Sequence, residues 1–288
     1  MKLNAIFIFF VSCFFSAVTL TADEIGEWKE LKGEHFIVCY LQNEDFADDV
    51  LDKSEVYYSR IAADLNYPRY SEFWTWDKRV KIYIHPNLES FLKATGQPQW
   101  SRGMADYNNK QIISYAWSGG FLESLLPHEI AHLIFRDFVG FKSEIPLWLD
   151  EGVAQWAEEA KRRESKRIIN DLFTKNSLLS LSDMMRLDVR NIKETEKMSL
   201  RALRSKEGEP GLLFLSGDNL VNIYYVQAVS LVGFLVERHG AESFTVFCRS
   251  LRDGKPVEEA LRAAYPLHIR DIQELENKWR EYLEAQSR

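Results

Sequence analysis

The chain has 288 residues, a formal net charge of −7, 46% hydrophobic residues and 27% charged residues. This length allows one large domain or two small ones around a substantial core, and the composition is that of a globular protein rather than a disordered one. The negative charge argues against a nucleic-acid-binding surface.

The first 22 residues have the pattern of a secretory signal peptide. Met1-Lys2 gives a positively charged start, and an apolar run from Ala5 to Leu20 ends just before the acidic pair Asp23-Glu24. The apolar run is short for a membrane span. We therefore predict cleavage after Ala22, a secreted or periplasmic location and no stable membrane span after cleavage. An uncleaved membrane anchor is the alternative.

Residues 23–140 are predicted to form a small α/β region. The apolar segment 36–41 and the alternating segment 80–84 are typical of strands. A helix is predicted between them, with apolar residues at helical spacing from Phe46 to Leu65 and Pro68 just beyond its end. A hairpin is predicted from strands at 104–107 and 111–115.

Two cysteines, Cys39 and Cys248, lie outside the predicted leader. An oxidising compartment would permit a disulfide between them. Both lie in apolar runs, however, where a free cysteine acts as a small hydrophobic residue. Free thiols are the favoured interpretation, and neither cysteine is predicted to bind a metal.

Residues 128–132 read His-Glu-Ile-Ala-His, and Glu151 follows after eighteen more residues. On a helix, His128 and His132 lie at positions i and i+4, so both imidazoles project from one face. A catalytic zinc ion usually takes three protein ligands and leaves one position open. The sequence therefore predicts one Zn²⁺ per chain, bound by His128, His132 and Glu151, with Glu129 close enough to act on a water molecule.

This spacing is a specific signal. His-Glu-x-x-His alone is expected by chance in about 1% of chains this long. Requiring a glutamate at one fixed downstream position lowers this chance frequency about ten- to twentyfold. The flanking residues are apolar, as a buried active-site helix requires. Two hydrogen-bonded core histidines are the alternative. Because Pro127 is tolerated only in the first turn, the helix is predicted to start within a few residues before it.

Residues 141–288 are predicted to be mostly helical. Pro146 marks the start of a helix that carries Glu151 in its first turn or two, and the charged stretch 190–210 is predicted to be an exposed loop or insertion. Further helices are predicted over 219–238 and 242–251 and near the C terminus. Strands followed by helices indicate an α+β fold.

The zinc motif continues into Trp148-Leu149-x-Glu151-Gly152-x-Ala154, and weaker similarity includes Tyr225-x-Gln227-Ala228. Together these segments resemble the gluzincin clan of zinc metallopeptidases, and most of all the peptidase MA-like family. The resemblance covers roughly residues 33–285. It implies a two-lobed peptidase with a small mixed sheet in an N-terminal lobe (about 23–140), a helical lobe (about 141–288) and an active-site cleft between them.

The resemblance also implies site roles. Glu129 would be the general base for a zinc-activated water. Tyr225 occupies the position of the family's tyrosine donor to the reaction oxyanion, with Tyr224 and His239 as the runners-up. For any such tyrosine, core packing with a satisfied hydroxyl is the alternative.

Ligating histidines usually donate their second N–H to a further acceptor. Asp150, Gln155 and Glu158 are the candidates near Glu151, and ordinary surface polarity is equally compatible with each of them. The other histidines, His35, His85 and His268, are interpreted as structural or exposed.

The function predicted is that of an exported zinc metallopeptidase acting on a peptide or protein substrate. Two alternatives stay open: a non-catalytic zinc-binding module that binds peptides, and a zinc hydrolase of non-peptide substrates. The presence of Glu129 favours an enzyme, because a purely structural zinc site needs no general base.

Overall fold

The computed structural model describes residues 27–66, 74–99, 101–117, 120–140, 145–203 and 211–287. The predicted signal peptide at 1–22 and Pro68 lie outside the described residues. The chain forms two compact units, one of Met1–Ala63 with Pro68–Ile134, the other of Asp64–Tyr67 with Phe135–Arg288. A mixed sheet in the first unit and a mostly helical second unit confirm the predicted α+β fold.

The sheet of the first unit has five strands in the order β1-β2-β3-β5-β4. Their bounds are β1 Lys29–Lys32, β2 Phe36–Tyr40, β3 Val80–His85, β4 Gly103–Asp106 and β5 Gln111–Tyr115. The three central strands β2, β3 and β5 run parallel, and the edge strands β1 and β4 pair antiparallel to their neighbours. The predicted strands and the β4–β5 hairpin are confirmed, whereas β1 was not predicted.

Two helices complete the first unit before the motif. Helix α1 (Glu44–Asp64) matches the predicted helix and buries Val50, Tyr57 and Ile61 at helical spacing. Helix α2 (Leu88–Thr95) was not predicted. Its first turn is capped by the Asn87 side chain, which accepts a hydrogen bond from the backbone N–H of Ser90 at 2.9 Å.

The motif helix α3 (Leu126–Val139) follows directly on a π-helical turn, Phe121–Leu125. In that turn the Leu126 N–H bonds to the Phe121 carbonyl, five residues back. Pro127 therefore lies at the second position of α3, as predicted. Proline lacks an N–H and clashes with the carbonyl four residues earlier in a regular helix, and the wider π turn relieves that conflict.

The second unit is built mainly from helices. Their bounds are α4 Leu147–Ala157, α5 Glu159–Thr174, α6 Leu181–Met184, α7 Gly217–Gly233, α8 Ala241–Arg252, α9 Val257–Ala264 and α10 Ile272–Gln286. The predicted start of α4 at Pro146 is confirmed. Helices α6 and α9 are short and were not predicted.

The prediction of an exposed loop or insertion over 190–210 was wrong for Lys197–Arg201, and residues 204–210 lie outside the described part of the chain. Lys197–Arg201 forms strand β6, which pairs antiparallel with strand β7, Leu212–Ser216. Along β6 the apolar residues Met198 and Leu200 alternate with polar ones, which is a strand pattern. The surrounding charged residues masked this short signal.

Helix α7 is the central helix of the second unit. Its buried Gln227 side chain accepts a hydrogen bond from the backbone N–H of Leu179 at 2.7 Å and donates one to the Leu179 carbonyl at 3.1 Å. With the π-helical turn that follows it, α7 extends over Gly217–Arg238. Among the described residues, this helix is long and apolar enough to cross a membrane, but 83% of its apolar window is buried inside the protein. Such burial is typical of a core helix.

Candidate metal centre

Helix α3 places His128 and His132 side by side. Their Nε2 atoms are 3.1 Å apart and their ring centroids 4.7 Å apart. Both residues are 1% exposed, and the apolar residues between and beside them, such as Ile130 and Leu133, are also buried. The imidazole pair therefore belongs to the protein interior, as the apolar flanks of the motif predict.

Helix α4 supplies the third member of the predicted ligand set. Glu151 lies in the second turn of α4 and is 4% exposed. Ligand atoms of His128, His132 and Glu151 all lie within 4.8 Å of one another. Two residues on one helix and one on the next are thus brought into a single buried cluster of two imidazoles and a carboxylate.

The geometry and chemistry of this cluster suit a metal ion. Zinc binds histidine nitrogen at about 2.0–2.1 Å in a tetrahedral arrangement, which sets two ligating nitrogens about 3.3 Å apart. The observed separation of the two Nε2 atoms, 3.1 Å, is close to this value. A hydrogen bond between the imidazoles is the competing arrangement, but it gives no role to the carboxylate. The cluster could therefore hold a metal ion.

Glu129 follows His128 on the same turn of α3 and is 1% exposed. Burying a carboxylate is costly unless charges or hydrogen bonds compensate for it. Its position one residue from a candidate ligand is the arrangement that the motif requires of a base acting on a metal-activated water.

An ion pair joins α3 and α4 beside the cluster. The guanidinium of Arg136 binds the carboxylate of Asp150, and both side chains are largely buried. Arg136 lies one turn after His132, and Asp150 directly precedes Glu151. The pair therefore holds together the segments that carry the candidate ligands. Sequence reasoning named Asp150 but missed Arg136, although its i+4 spacing from His132 was a usable signal.

The other two candidates near Glu151 are Gln155, on α4, and Glu158, which directly follows the last residue of α4. Gln155 is one turn beyond Glu151 and is buried. The nearly inaccessible carboxylate of Glu158 accepts a hydrogen bond from the Lys161 ammonium at 3.1 Å.

Gly152 brings α4 unusually close to α7. A Cβ atom at this position would lie 2.8 Å from the carbonyl oxygen of Ala228 and 2.8 Å from Cγ2 of Val232. Only a glycine fits this approach without displacing the backbone of α7. Because Gly152 adjoins Glu151, the contact also helps to fix the position of the third candidate ligand.

Helix α7 carries the predicted tyrosine, Tyr225, and the runner-up Tyr224, both buried. Burial raises the pKa of each phenol, and the Glu151 carboxylate raises it further. Both tyrosines therefore lie within electrostatic range of Glu151. The third candidate, His239, packs instead against Phe234 and two other aromatic rings at the far end of the helix.

Sequence reasoning missed Tyr107. This residue begins the turn after β4, and its ring lies edge-to-face to the His132 ring with the centroids 6.3 Å apart. The end of the edge strand β4 is therefore adjacent to a candidate metal ligand. The sequence predicted this strand but offered no signal for the aromatic contact, which depends on packing between distant segments.

No protein-family model matches this sequence, and no curated protein matches it. What the structure shows is a buried cluster of His128, His132 and Glu151 that could hold a metal ion.

Proposed function

We propose that this protein is a zinc-dependent hydrolase that cleaves peptide bonds. The observation that carries the proposal is the buried cluster of His128, His132 and Glu151, with ligand atoms within 4.8 Å of one another and Glu129 on the same helix turn as His128. Two imidazoles and one carboxylate are the donor set of catalytic zinc sites that keep one position open.

Bound zinc would supply Lewis-acid chemistry, polarising a carbonyl and lowering the pKa of a water molecule to about 7. The carboxylate of Glu129 would accept a proton from that water as its oxygen bonds to the carbonyl carbon of the substrate. The same proton would pass from Glu129 to the amide nitrogen as the C–N bond breaks. The buried phenol of Tyr225 would donate a hydrogen bond to the carbonyl oxygen as negative charge develops on it.

A peptide is the favoured substrate because of strand β4. This strand lies at the edge of the five-stranded sheet, and an extended peptide can add to such an edge through backbone hydrogen bonds. The Tyr107–His132 contact at the end of β4 supports a substrate path that leads to the candidate metal ligands. We further propose that the protein acts after export, on the basis of the leader-like sequence at 1–22.

The first experiment measures the zinc content of the purified protein and its hydrolysis of a fluorescently labelled protein substrate and a peptide library. We expect about one zinc per chain, lost in the His128→Ala/His132→Ala double variant. Glu129→Gln should keep the zinc and lower kcat by about 10²–10⁴. Glu123→Gln changes an exposed glutamate just upstream of α3, so this control should retain both zinc and activity.

The outcomes separate the competing functions. A wild-type protein that takes up no zinc after reconstitution would refute the metal site. Stoichiometric zinc without hydrolysis of any peptide would favour a non-catalytic peptide-binding module or a hydrolase of other substrates. Unchanged peptide hydrolysis in Glu129→Gln would remove Glu129 from the reaction while leaving the metal site intact.

A further inference from the structure

A cavity lies in the helical unit, formed by the end of α7, the chain around His268, and α10. Its volume is about 590 Å³, within the range of small-molecule sites. Its lining includes Phe234, Arg238, His239, His268, Lys278 and Tyr282. None of them belongs to the candidate metal centre, so the inference does not depend on the proposed hydrolase activity.

The cavity adjoins an irregular stretch of helix. Phe234–Arg238 forms a π-helical turn at the end of α7, and its first and last residues both line the cavity. His239 follows immediately. Single π-helical turns inside longer helices occur frequently at functional sites. Here the turn presents an aromatic side chain and a guanidinium to the same space.

His239 contributes a buried nitrogen atom to the cavity. Its Nε2 atom has no hydrogen-bond partner among the residues that the structure describes. Its ring packs against Phe234 with the centroids 5.0 Å apart, against Tyr265 at 5.3 Å and against His268 at 5.8 Å. A buried polar nitrogen without a protein partner is costly, and a ligand atom would satisfy it.

The electrostatic field at His239 is positive. Burial lowers the pKa of His239, and the charges of His268, Arg238 and Lys278 lower it further. Three side chains that are positively charged or can become so therefore lie within electrostatic range of His239. Such a field favours a negatively charged ligand.

The nearby carboxylates leave one cation uncompensated. Glu281, which also lines the cavity, binds Lys278 at 3.0 Å. Glu237 accepts hydrogen bonds from Lys166 at 3.0 Å and from the Tyr282 hydroxyl at 3.4 Å. Within the described part of the chain, Arg238 makes no ion pair. Its guanidinium is a planar, always charged donor that suits a carboxylate.

We propose that this cavity binds a small organic monoanion, a carboxylate attached to an aromatic or aliphatic body. Arg238 and His239 hold the carboxylate. The rings of Phe234 and Tyr282, whose centroids lie 5.2 Å apart, contact the apolar body. One uncompensated guanidinium matches one negative charge, which disfavours phosphate and other multiply charged anions.

The test titrates the purified full chain with 3-phenylpropionate, with its uncharged analogue 3-phenylpropanamide and with inorganic phosphate. Binding is followed by NMR of the histidine ring protons, with the His239 signal identified through a His239→Gln variant. A probe of this size is expected to bind with a Kd of about 1–10 mM. The carboxylate should shift the His239 signal saturably, and the amide and phosphate should bind at least about tenfold more weakly.

Arg238→Gln should weaken carboxylate binding about tenfold or more. Arg249→Gln alters an exposed arginine on α8 and should leave binding unchanged, and melting curves show whether each variant is folded. Equal affinity for the acid and the amide would overturn the proposal, as would full binding by a folded Arg238→Gln variant. The absence of any saturable shift with a panel of aryl and alkyl carboxylates up to about 10 mM would also overturn it, and tighter binding of phosphate would refute the carboxylate class.

Discussion

Replacing Gly152 by alanine tests the link between helix packing and the candidate metal centre. The added Cβ would meet the carbonyl oxygen of Ala228 and Cγ2 of Val232, each at 2.8 Å, whereas ordinary contacts begin at 3.4 Å. The Val232 methyl group can move slightly, but the Ala228 oxygen belongs to the backbone of the buried helix α7. We therefore expect α4 to shift away from α7 at the residue next to Glu151.

The expected loss of stability follows from two opposing terms. Overpacking a core typically costs about 1–3 kcal/mol, and a backbone contact this short belongs at the upper end. Alanine is a better helix former than glycine by up to about 1 kcal/mol. The net loss for Gly152→Ala should therefore be about 2 kcal/mol in the free energy of unfolding.

Gly233→Ala is the matched control. Gly233 is also a buried helical glycine in the same unit, but a Cβ there would lie 3.3 Å from Nε1 and 3.5 Å from Cδ1 of Trp156. These contacts are nearly ordinary, so the gain in helix propensity should dominate and stability should be unchanged or rise by up to about 1 kcal/mol. The two variants should differ by roughly 5–10 °C in Tm.

The assays are urea and thermal unfolding for stability, and competition with a chromophoric chelator for zinc affinity. We expect Gly152→Ala to bind zinc about tenfold more weakly. Changes to the groups that hold metal ligands in position typically lower metal affinity by about tenfold or more. Equal stability of the two variants would refute the close approach of α4 to α7. A destabilised Gly152→Ala protein with unchanged zinc affinity would instead refute the coupling between this contact and Glu151.

Three further predictions concern single side chains. Tyr225→Phe should lower kcat by about 10²–10³ with the zinc content unchanged, and a larger loss in Tyr224→Phe would transfer the role to that neighbour. Burial raises the pKa of Cys39 to about 11 and also raises that of Cys248. Both thiols should therefore react slowly with a thiol reagent at pH 8 until the protein unfolds. Rapid labelling of the native protein would contradict this expectation. Burial lowers the pKa of His85, so the unfolded state binds the proton more readily and stability should fall as the pH drops through about 6.5. In urea titrations at several pH values, His85→Phe should reduce this loss of stability at low pH. The same pH dependence in the variant and the wild type would contradict the role of His85.

The candidate ligands were predictable because the relevant distances are local. His128 and His132 lie one turn apart on a helix, so helix geometry alone places their rings together. Glu151 follows after a short connection, and Pro146 marks the start of its helix. The structure confirms that these three side chains form one cluster that could hold a metal ion.

The features that sequence reasoning missed depend on pairing or packing between segments. Strand β1 is only four residues long and mostly polar, so it has no apolar pattern that would predict a strand. Backbone hydrogen bonds to a single neighbour are enough to hold such an edge strand. Strand β6 has a weak alternating pattern within charged surroundings. Short strands of this kind become evident only beside their partners.

Contacts around the candidate metal centre were hidden for the same reason. The Tyr107–His132 contact and the Arg136–Asp150 ion pair join residues from different elements. Residue type and spacing could mark Arg136 as lying on the face of α3 that carries the histidines. They could not show that its partner is the residue before Glu151.

Charge balance gives a further reason to place a divalent cation in this cluster. Glu129 and Glu151 are both almost fully buried, and burying charged groups costs several kcal/mol each unless they are compensated. These two carboxylates lie beside the imidazoles of His128 and His132. One divalent cation would offset the charge of buried carboxylates while using the two imidazole nitrogens as ligands. A core built only for stability would often gain as much or more from apolar residues at these positions, which supports the proposed metal site over packing alone.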